Sequence, residues 1–243
     1  MCAGLVPSEL HGELGRTRSG LIPVSGKSLL QKHLDVASAI NVELLVAVDA
    51  TDERTQRYCE LLEVPYCLVD GSLKLGSAVR SVLRTLEGAK QFAEPFELLF
   101  GDTVSFDVLP TDAIGVVQVP DATEWTQVCI NQNALIFSDE GDTKDSTVAG
   151  LFSFSQPAAL LKLLETEPDL WAAMSLYHQG VESLTLVQLD SWFDFGRIDT
   201  LTMAIEWLVD HRVIYCYRAH DKWLDVYFSC TYPSPITRVT LLL

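Results

Sequence analysis

Apolar residues across 29–40 fall at helical spacing, and Ser28 stands where an N-cap belongs, so this stretch is expected to be a helix. Residues 43–48 form a short, nearly continuous apolar run, the pattern of a strand buried on both faces of a parallel sheet. The alternation continues with a helix over 52–62, a strand over 66–69 and a helix over 77–86, entered through Lys74-Leu75-Gly76-Ser77. A strand over 96–100 then ends in Gly101-Asp102-Thr103. Strands and helices alternating at this spacing predict an α/β domain with a mainly parallel sheet and right-handed crossovers.

The second half reads differently. Strand-like runs over 114–119, 126–130, 134–138 and 148–154 are separated by polar turns, with a charged loop over 139–145. A helix over 158–165, a strand over 184–189 and a helix over 200–209 follow. Residues 212–243 hold β-like runs at 213–217 and 225–228 and end in Thr240-Leu241-Leu242-Leu243. An apolar stretch of this kind is costly to leave in water. It reads as an added edge strand, an interface or the stub of a longer parent. No linker or repeat interrupts the chain, so one domain is expected over 1–210, with 211–243 as an extension.

Composition narrows the function. The 243 residues, 48% of them hydrophobic, suffice for a full α/β core. No run of 18 uncharged apolar residues suggests a membrane span, and the N-terminal residues do not read as a secretory signal. A net charge of −16, with no cluster of Lys and Arg, argues against a nucleic-acid partner and suits a cytoplasmic protein. An anionic ligand would then need backbone N–H groups, a few placed cations or a metal. Cys2, Cys59, Cys67, Cys129, Cys216 and Cys230 form no C-x-x-C pair and no zinc-ligand spacing, so free thiols are expected.

Candidate chemistry lies in three places. Gly26-Lys27-Ser28 resembles the end of a phosphate-binding P-loop, but the full G-x-x-x-x-G-K-[ST] frame is absent and Pro23 interrupts it. A turn at a helix start, with Lys27 exposed, is the simpler reading. Asp102 follows a strand, where it suits a helix N-cap, a Walker-B-like carboxylate or a metal ligand. Asp194 sits in Trp192-Phe193-Asp194-Phe195-Gly196-Arg197, where aromatic neighbours favour a raised pKa, and Arg197 is a local ion-pair partner for Asp194 or Asp199. His11, His33, His178, His211 and His220 have no triad or zincin context and read as surface or packing residues.

In order, these segments resemble the nucleotidyltransferases that join a nucleoside triphosphate to a sugar phosphate or a similar phosphorylated alcohol (sugar-phosphate or MobA-like NTP transferases). Cys2-Ala3-Gly4 resembles the tail of the family's opening strand and the start of its glycine-rich loop. Residues 21–29, Leu-Ile-Pro-Val-Ser-Gly-Lys-Ser-Leu, resemble L-L-P-V-x-G-K-P-L, and Leu75-Gly76-Ser77-Ala78 resembles the loop near the base. Leu99-Phe100-Gly101-Asp102-Thr103, Gly150-Leu151-Phe152-Ser153-Phe154 and Trp192-Phe193-Asp194-Phe195-Gly196 resemble the L-x-G-D, G-x-Y-x-F and W-x-D-x-G segments. The W-F-D-F-G form is similar to members from capsule and surface-polysaccharide gene sets.

The resemblance covers residues 1 to about 205. It implies a Rossmann-like three-layer α/β/α fold with a mixed, mainly parallel sheet, of the nucleotide-diphospho-sugar transferase type. It implies Mg²⁺ held by Asp102 and Asp194, main-chain N–H groups at Ala3 and Gly4 cradling a triphosphate, and Gly76 and Ser77 near the base. The partners implied are a nucleoside triphosphate and a phosphorylated small molecule, and the apolar C-terminal residues suggest a homo-oligomer.

Two departures stand out. Where the family has proline-lysine, this chain has Arg18-Ser19, leaving Arg16 or Arg18 to take the lysine's part, with Lys27 a further candidate for phosphate. The family's first, central strand is nearly absent, so the sheet has a gap or another segment fills it. A nucleotide-binding module without turnover is the alternative these departures raise.

Overall fold

The computed structural model describes residues 8–11, 17–24, 26–39, 42–71, 74–87, 90–119, 122, 125–139, 146–197, 200–201, 204, 218–219, 222–223 and 239–242. Ala3, Gly4, Arg16, Asp199, His211, His220 and the runs at 213–217 and 225–228 lie outside them.

The first half follows the alternation expected. A short hairpin, β1 (Pro23–Val24) and β2 (Lys27–Ser28), leads into α1 (Leu29–Ala39). The Ser28 hydroxyl accepts from the Gln31 N–H at 3.1 Å, the expected cap. Strand β3 (Glu43–Asp49), helix α2 (Glu53–Leu61), strand β4 (Tyr66–Val69), helix α3 (Leu75–Leu86) and strand β5 (Phe96–Leu99) follow. Asp52 caps α2 by accepting from the Thr55 N–H at 3.2 Å.

Beyond β5 come β6 (Thr103–Val104), β7 (Ala113–Val117), the hairpin β8 (Gln127–Asn131) and β9 (Ala134–Ser138), and the long β10 (Ser146–Phe154). Helices α4 (Pro157–Thr166) and α5 (Leu170–Gly180), then β11 (Thr185–Gln188) and β12 (Phe193–Asp194), complete this half. Helix α5 has no counterpart in the sequence reading. Its signals were Asp169, which caps it by accepting from the Ala172 N–H at 3.0 Å, and buried residues at 170, 173, 174, 177 and 178.

The main sheet runs β11-β7-β10-β5-β15-β3-β4, where β15 is Val239–Leu242, and the β8–β9 hairpin extends from β10. Strands β5, β15, β3 and β4 are parallel, β11 is parallel to β7, and β10 is antiparallel to β5 and β7. Alternation along β3 shows the layers: Leu44, Val46 and Val48 pack with Leu30, Ala37 and Cys59, while Ala47 joins the cluster of α3, α4 and α5. The fold is therefore a mixed, mainly parallel sheet between helical layers, as the sequence led us to expect. Two further strands, β13 (Arg218–Ala219) and β14 (Lys222–Trp223), form a separate small hairpin.

The position of β15 answers the question of the opening strand. Val239–Leu242 lie at the centre of the sheet, not at its edge, with Leu241 in register with Leu45 on one side and Leu98 on the other. A distant segment fills the gap between β3 and β5. This removes the reason for expecting that segment to drive self-association. No described helix is long and apolar enough to cross a membrane.

Candidate functional site

Strand β5 stops at Leu99, and the chain turns through Phe100-Gly101-Asp102 into β6, with the Thr103 N–H bonded to the Phe100 carbonyl at 3.1 Å. Gly150 makes this turn possible. Its φ of +78° bends β10, its carbonyl accepts from the Phe100 N–H at 2.9 Å, and a Cβ there would stand 2.8 Å from the Phe100 ring.

The turn is brought to Asp194 by an antiparallel ladder of two pairs, Phe193↔Val104 and Asp194↔Thr103. The Phe195 N–H extends it by donating to the Asp102 carbonyl at 2.8 Å. Phe193 and Phe195 are buried with Ile22, Val24, Leu29 and Val104, so the strand carrying Asp194 is anchored on an apolar base.

Beyond the ladder, polar side chains lock the two segments. Asp107 Oδ2 accepts from the Ser191 N–H at 2.8 Å and from its hydroxyl at 2.9 Å. The Ser105 hydroxyl donates to the Ser191 carbonyl at 2.7 Å, and the Phe106 N–H donates to Ser191 Oγ at 2.9 Å. Trp192 Nε1 donates to the Ala149 carbonyl at 2.9 Å, tying the same segment to β10. The sequence reading missed this clamp. Its signal was small polar residues beside aromatic ones, at Ser105-Phe106-Asp107 and Ser191-Trp192.

The two aspartates meet over Gly196. A Cβ on Gly196 would stand 3.2 Å from Asp102 Oδ2 and 3.3 Å from Asp194 Oδ1, so those oxygens are less than twice 3.3 Å apart. Asp194 is 6% exposed. Burial first, and then the charge of Asp102, push its carboxyl up to about 7. The Thr200 hydroxyl, donating to Oδ2 at 2.9 Å, the Gly196 N–H, donating to Oδ1 at 3.3 Å, and the Arg197 charge act the other way. The Arg197 guanidinium also lies over the Trp125 ring, 5.6 Å from its centroid. Two hard oxygen donors, excess negative charge and a space that any larger residue at 196 would fill suit a divalent cation. Among the described residues no group of three or more His, Cys, Asp or Glu has metal-binding geometry, so the candidate is a two-carboxylate site.

The other candidates lie elsewhere. The structure brings Arg18 to Asp49 and Asp52, with NH2 at 3.1 Å from Asp49 Oδ2 and Nε at 3.4 Å from Asp52 Oδ2. Burial alone would raise Asp49, but the Thr51 N–H and hydroxyl, together with Arg18, hold its carboxyl below the usual range. Ser19, where the sequence resemblance led us to look for a lysine, is 4% exposed.

Gly76 lies in the first turn of α3, where a Cβ would stand 2.3 Å from the Pro168 carbonyl oxygen and 2.7 Å from the Leu170 nitrogen. The backbone that approaches Gly76 is thus the protein's own. Ser77 beside it is buried, and its N–H bonds to the Lys74 carbonyl at 2.9 Å. Gly26-Lys27-Ser28 forms the β1–β2 hairpin, with Gly26 at φ +79°, and the Lys27 ammonium pairs with Asp35 at 2.7 Å. A hairpin is not the strand-loop-helix frame of a P-loop. His33 and His178 are both buried packing residues, and burial pushes His33 down to about 4.

No protein-family model matches the sequence, and no curated protein sequence matches it. The fold has solved counterparts. An inositol-1-phosphate CTP transferase from T. maritima superposes with a TM-score of 0.65 at 14% identity, covering 88% of this chain and 96% of that one. A CTP:phosphocholine cytidylyltransferase from Streptococcus pneumoniae gives 0.63 at 13% identity, covering 85% and 96%. A UTP-bound UGPase from Acinetobacter baumannii gives 0.64 at 16% identity, covering 86% and 92%. At these identities the likeness is one of fold: the chain has the three-layer architecture on which these nucleotidyltransferases are built.

Proposed function

We propose that this protein is a nucleotidyltransferase that joins a nucleoside triphosphate to a phosphorylated small molecule and releases pyrophosphate. The observation that carries this reading is the convergence of Asp102 and Asp194 over Gly196, on a fold shared with enzymes of that kind. Asp102 and Asp194 would hold Mg²⁺, which when bound would supply charge neutralisation for phosphate groups. The chain's own part is positioning: the Thr200 hydroxyl and Gly196 N–H orient the Asp194 carboxylate, and the Ser105-Asp107-Ser191 clamp fixes its strand against the Asp102 turn. With Asp194 pushed up to about 7, its carboxyl is partly protonated near neutral pH, and a cation held there would have to displace that proton. A sugar phosphate is the acceptor class we favour, in the cytoplasmic supply of surface-polysaccharide precursors, because the Trp192–Gly196 segment has the form found in that branch.

A release assay for pyrophosphate, run with each of the four nucleoside triphosphates against a panel of sugar phosphates, tests the reaction. Asp102→Asn and Asp194→Asn are each expected to lower kcat/KM by about two orders of magnitude or more. Full activity in both variants would rule the site out. A second reading, nucleotide binding without turnover, is favoured by one arrangement: Ser19 is buried at the lysine position, and Arg18 is engaged by Asp49 and Asp52. Calorimetric binding of a nucleotide with no pyrophosphate released from any pair of substrates would select it.

A further inference from the structure

Gly26-Lys27-Ser28 takes no part in the carboxylate pair, yet it forms one wall of a cavity of about 410 Å³. The other wall is α2, which presents Arg54, Arg57, Tyr58 and Leu61. Their spacing of i, i+3, i+4 and i+7 puts all of them on one helical face. The Tyr58 and Ser28 hydroxyls, 3.1 Å apart, join the walls and set the width. The hairpin is two-sided: Val24 is buried with Phe193 and Phe195, while exposed Pro23 lines the cavity with Leu21.

The charge at this place runs against that of the whole chain. The net charge is −16 with only 17 basic residues, and Lys27, Arg54 and Arg57 all line this cavity. Lys27 pairs with Asp35 at 2.7 Å on half-buried side chains, and Arg57 pairs with Glu53 at 3.4 Å on exposed ones. A pair as exposed as the second contributes little and gives way readily to a better anion. Among the described residues no carboxylate forms an ion pair with Arg54. Guanidinium groups match phosphate oxygens with two parallel N–H bonds, and the Tyr58 ring, Leu21, Pro23 and Leu61 give the carbon part of a ligand an apolar floor.

We propose that this cavity binds a small phosphate monoester carried on an apolar or aromatic body, at a site separate from Asp102 and Asp194. The proposal does not depend on the transferase reading. Phenyl phosphate is the probe, titrated calorimetrically in buffer with a chelator so that no divalent cation contributes, with inorganic phosphate and phenol as comparison arms. Saturable binding of phenyl phosphate is expected, weaker for inorganic phosphate and absent for phenol. Arg54→Gln with Arg57→Gln should weaken it at least tenfold, and Asp102→Asn should leave it unchanged. Backbone amide shifts on titration should centre on residues 26–28 and 54–61. Both arginines are exposed, so the double variant should melt with the wild type. Binding equal in the double variant and the wild type, binding lost in Asp102→Asn, shifts centred elsewhere or no saturable binding would each overturn the proposal.

Discussion

With burial and the neighbouring Asp102 both acting against its ionised form, the Asp194 carboxyl titrates at about 7 in the fold, against 3.8 as its ordinary value. Between those values the folded chain binds more protons than the unfolded chain. The stabilising contribution of Asp194 is therefore complete below 3.8 and is lost as pH rises through about 7. Asp194→Asn carries no such burden. In metal-free buffer its melting temperature should exceed that of the wild type by an amount that grows with pH across this window and levels off above it. Adding Mn²⁺ should raise the wild type and leave the variant unmoved, since only a ligand held by the native state stabilises it. A difference that does not change with pH, seen in thermal melts at several pH values, would refute the charge argument. The raised carboxyl was legible in the sequence as an acid among aromatic residues. The convergence on Asp102 was legible only through the resemblance and not in the residues around either aspartate, because it depends on the absence of a side chain at Gly196 and on a turn accommodated by Gly150.

A ladder of two residue pairs is too short to hold β6 and β12 together without help. Asp107 and Ser191 supply that help from outside the ladder, so they act on the carboxylates through the backbone and need touch no ligand. Asp107→Ala should lower Mn²⁺ affinity about tenfold or more, the scale seen when supports of metal ligands are removed. Asp107→Asn, which keeps an acceptor oxygen for the Ser191 N–H, should recover part of the loss. An electron-spin titration of free Mn²⁺ measures both, and unaltered affinity in Asp107→Ala would show that the ladder is sufficient. Elements of this size leave little trace in a sequence. Helix α1 announces itself by periodicity over eleven residues, and strand β3 by a nearly continuous apolar run. Strands β6 and β12 do not, and α5 was hidden because its run of apolar residues has only a weak polar face. Their partners are set by tertiary contacts some eighty-five residues apart, which no local pattern encodes.

Across the molecule, the parallel block β5-β15-β3-β4 depends on a segment remote from the other strands in sequence. The strand character of residues 240–242 was legible, but their place was not, because a short apolar run suits an edge and a centre equally well. Thr240 is in register with Leu44 and Glu97, between two neighbours. Proline there lacks an N–H and is not accommodated in a central strand. Thr240→Pro should therefore abolish cooperative unfolding and strip hydrogen-exchange protection from β3 and β5 together. Retained protection in either strand would show that the two halves stand independently. The same placement governs how the chain reaches its native state. Until residues 239–242 dock, β3 and β5 each present an open strand edge, and the loop that must close is longer than half the chain. Contacts of such sequence separation form slowly, and open parallel edges waiting for a partner invite another chain to bind instead. Refolding should then be limited by this single docking event, with a yield that falls as protein concentration rises.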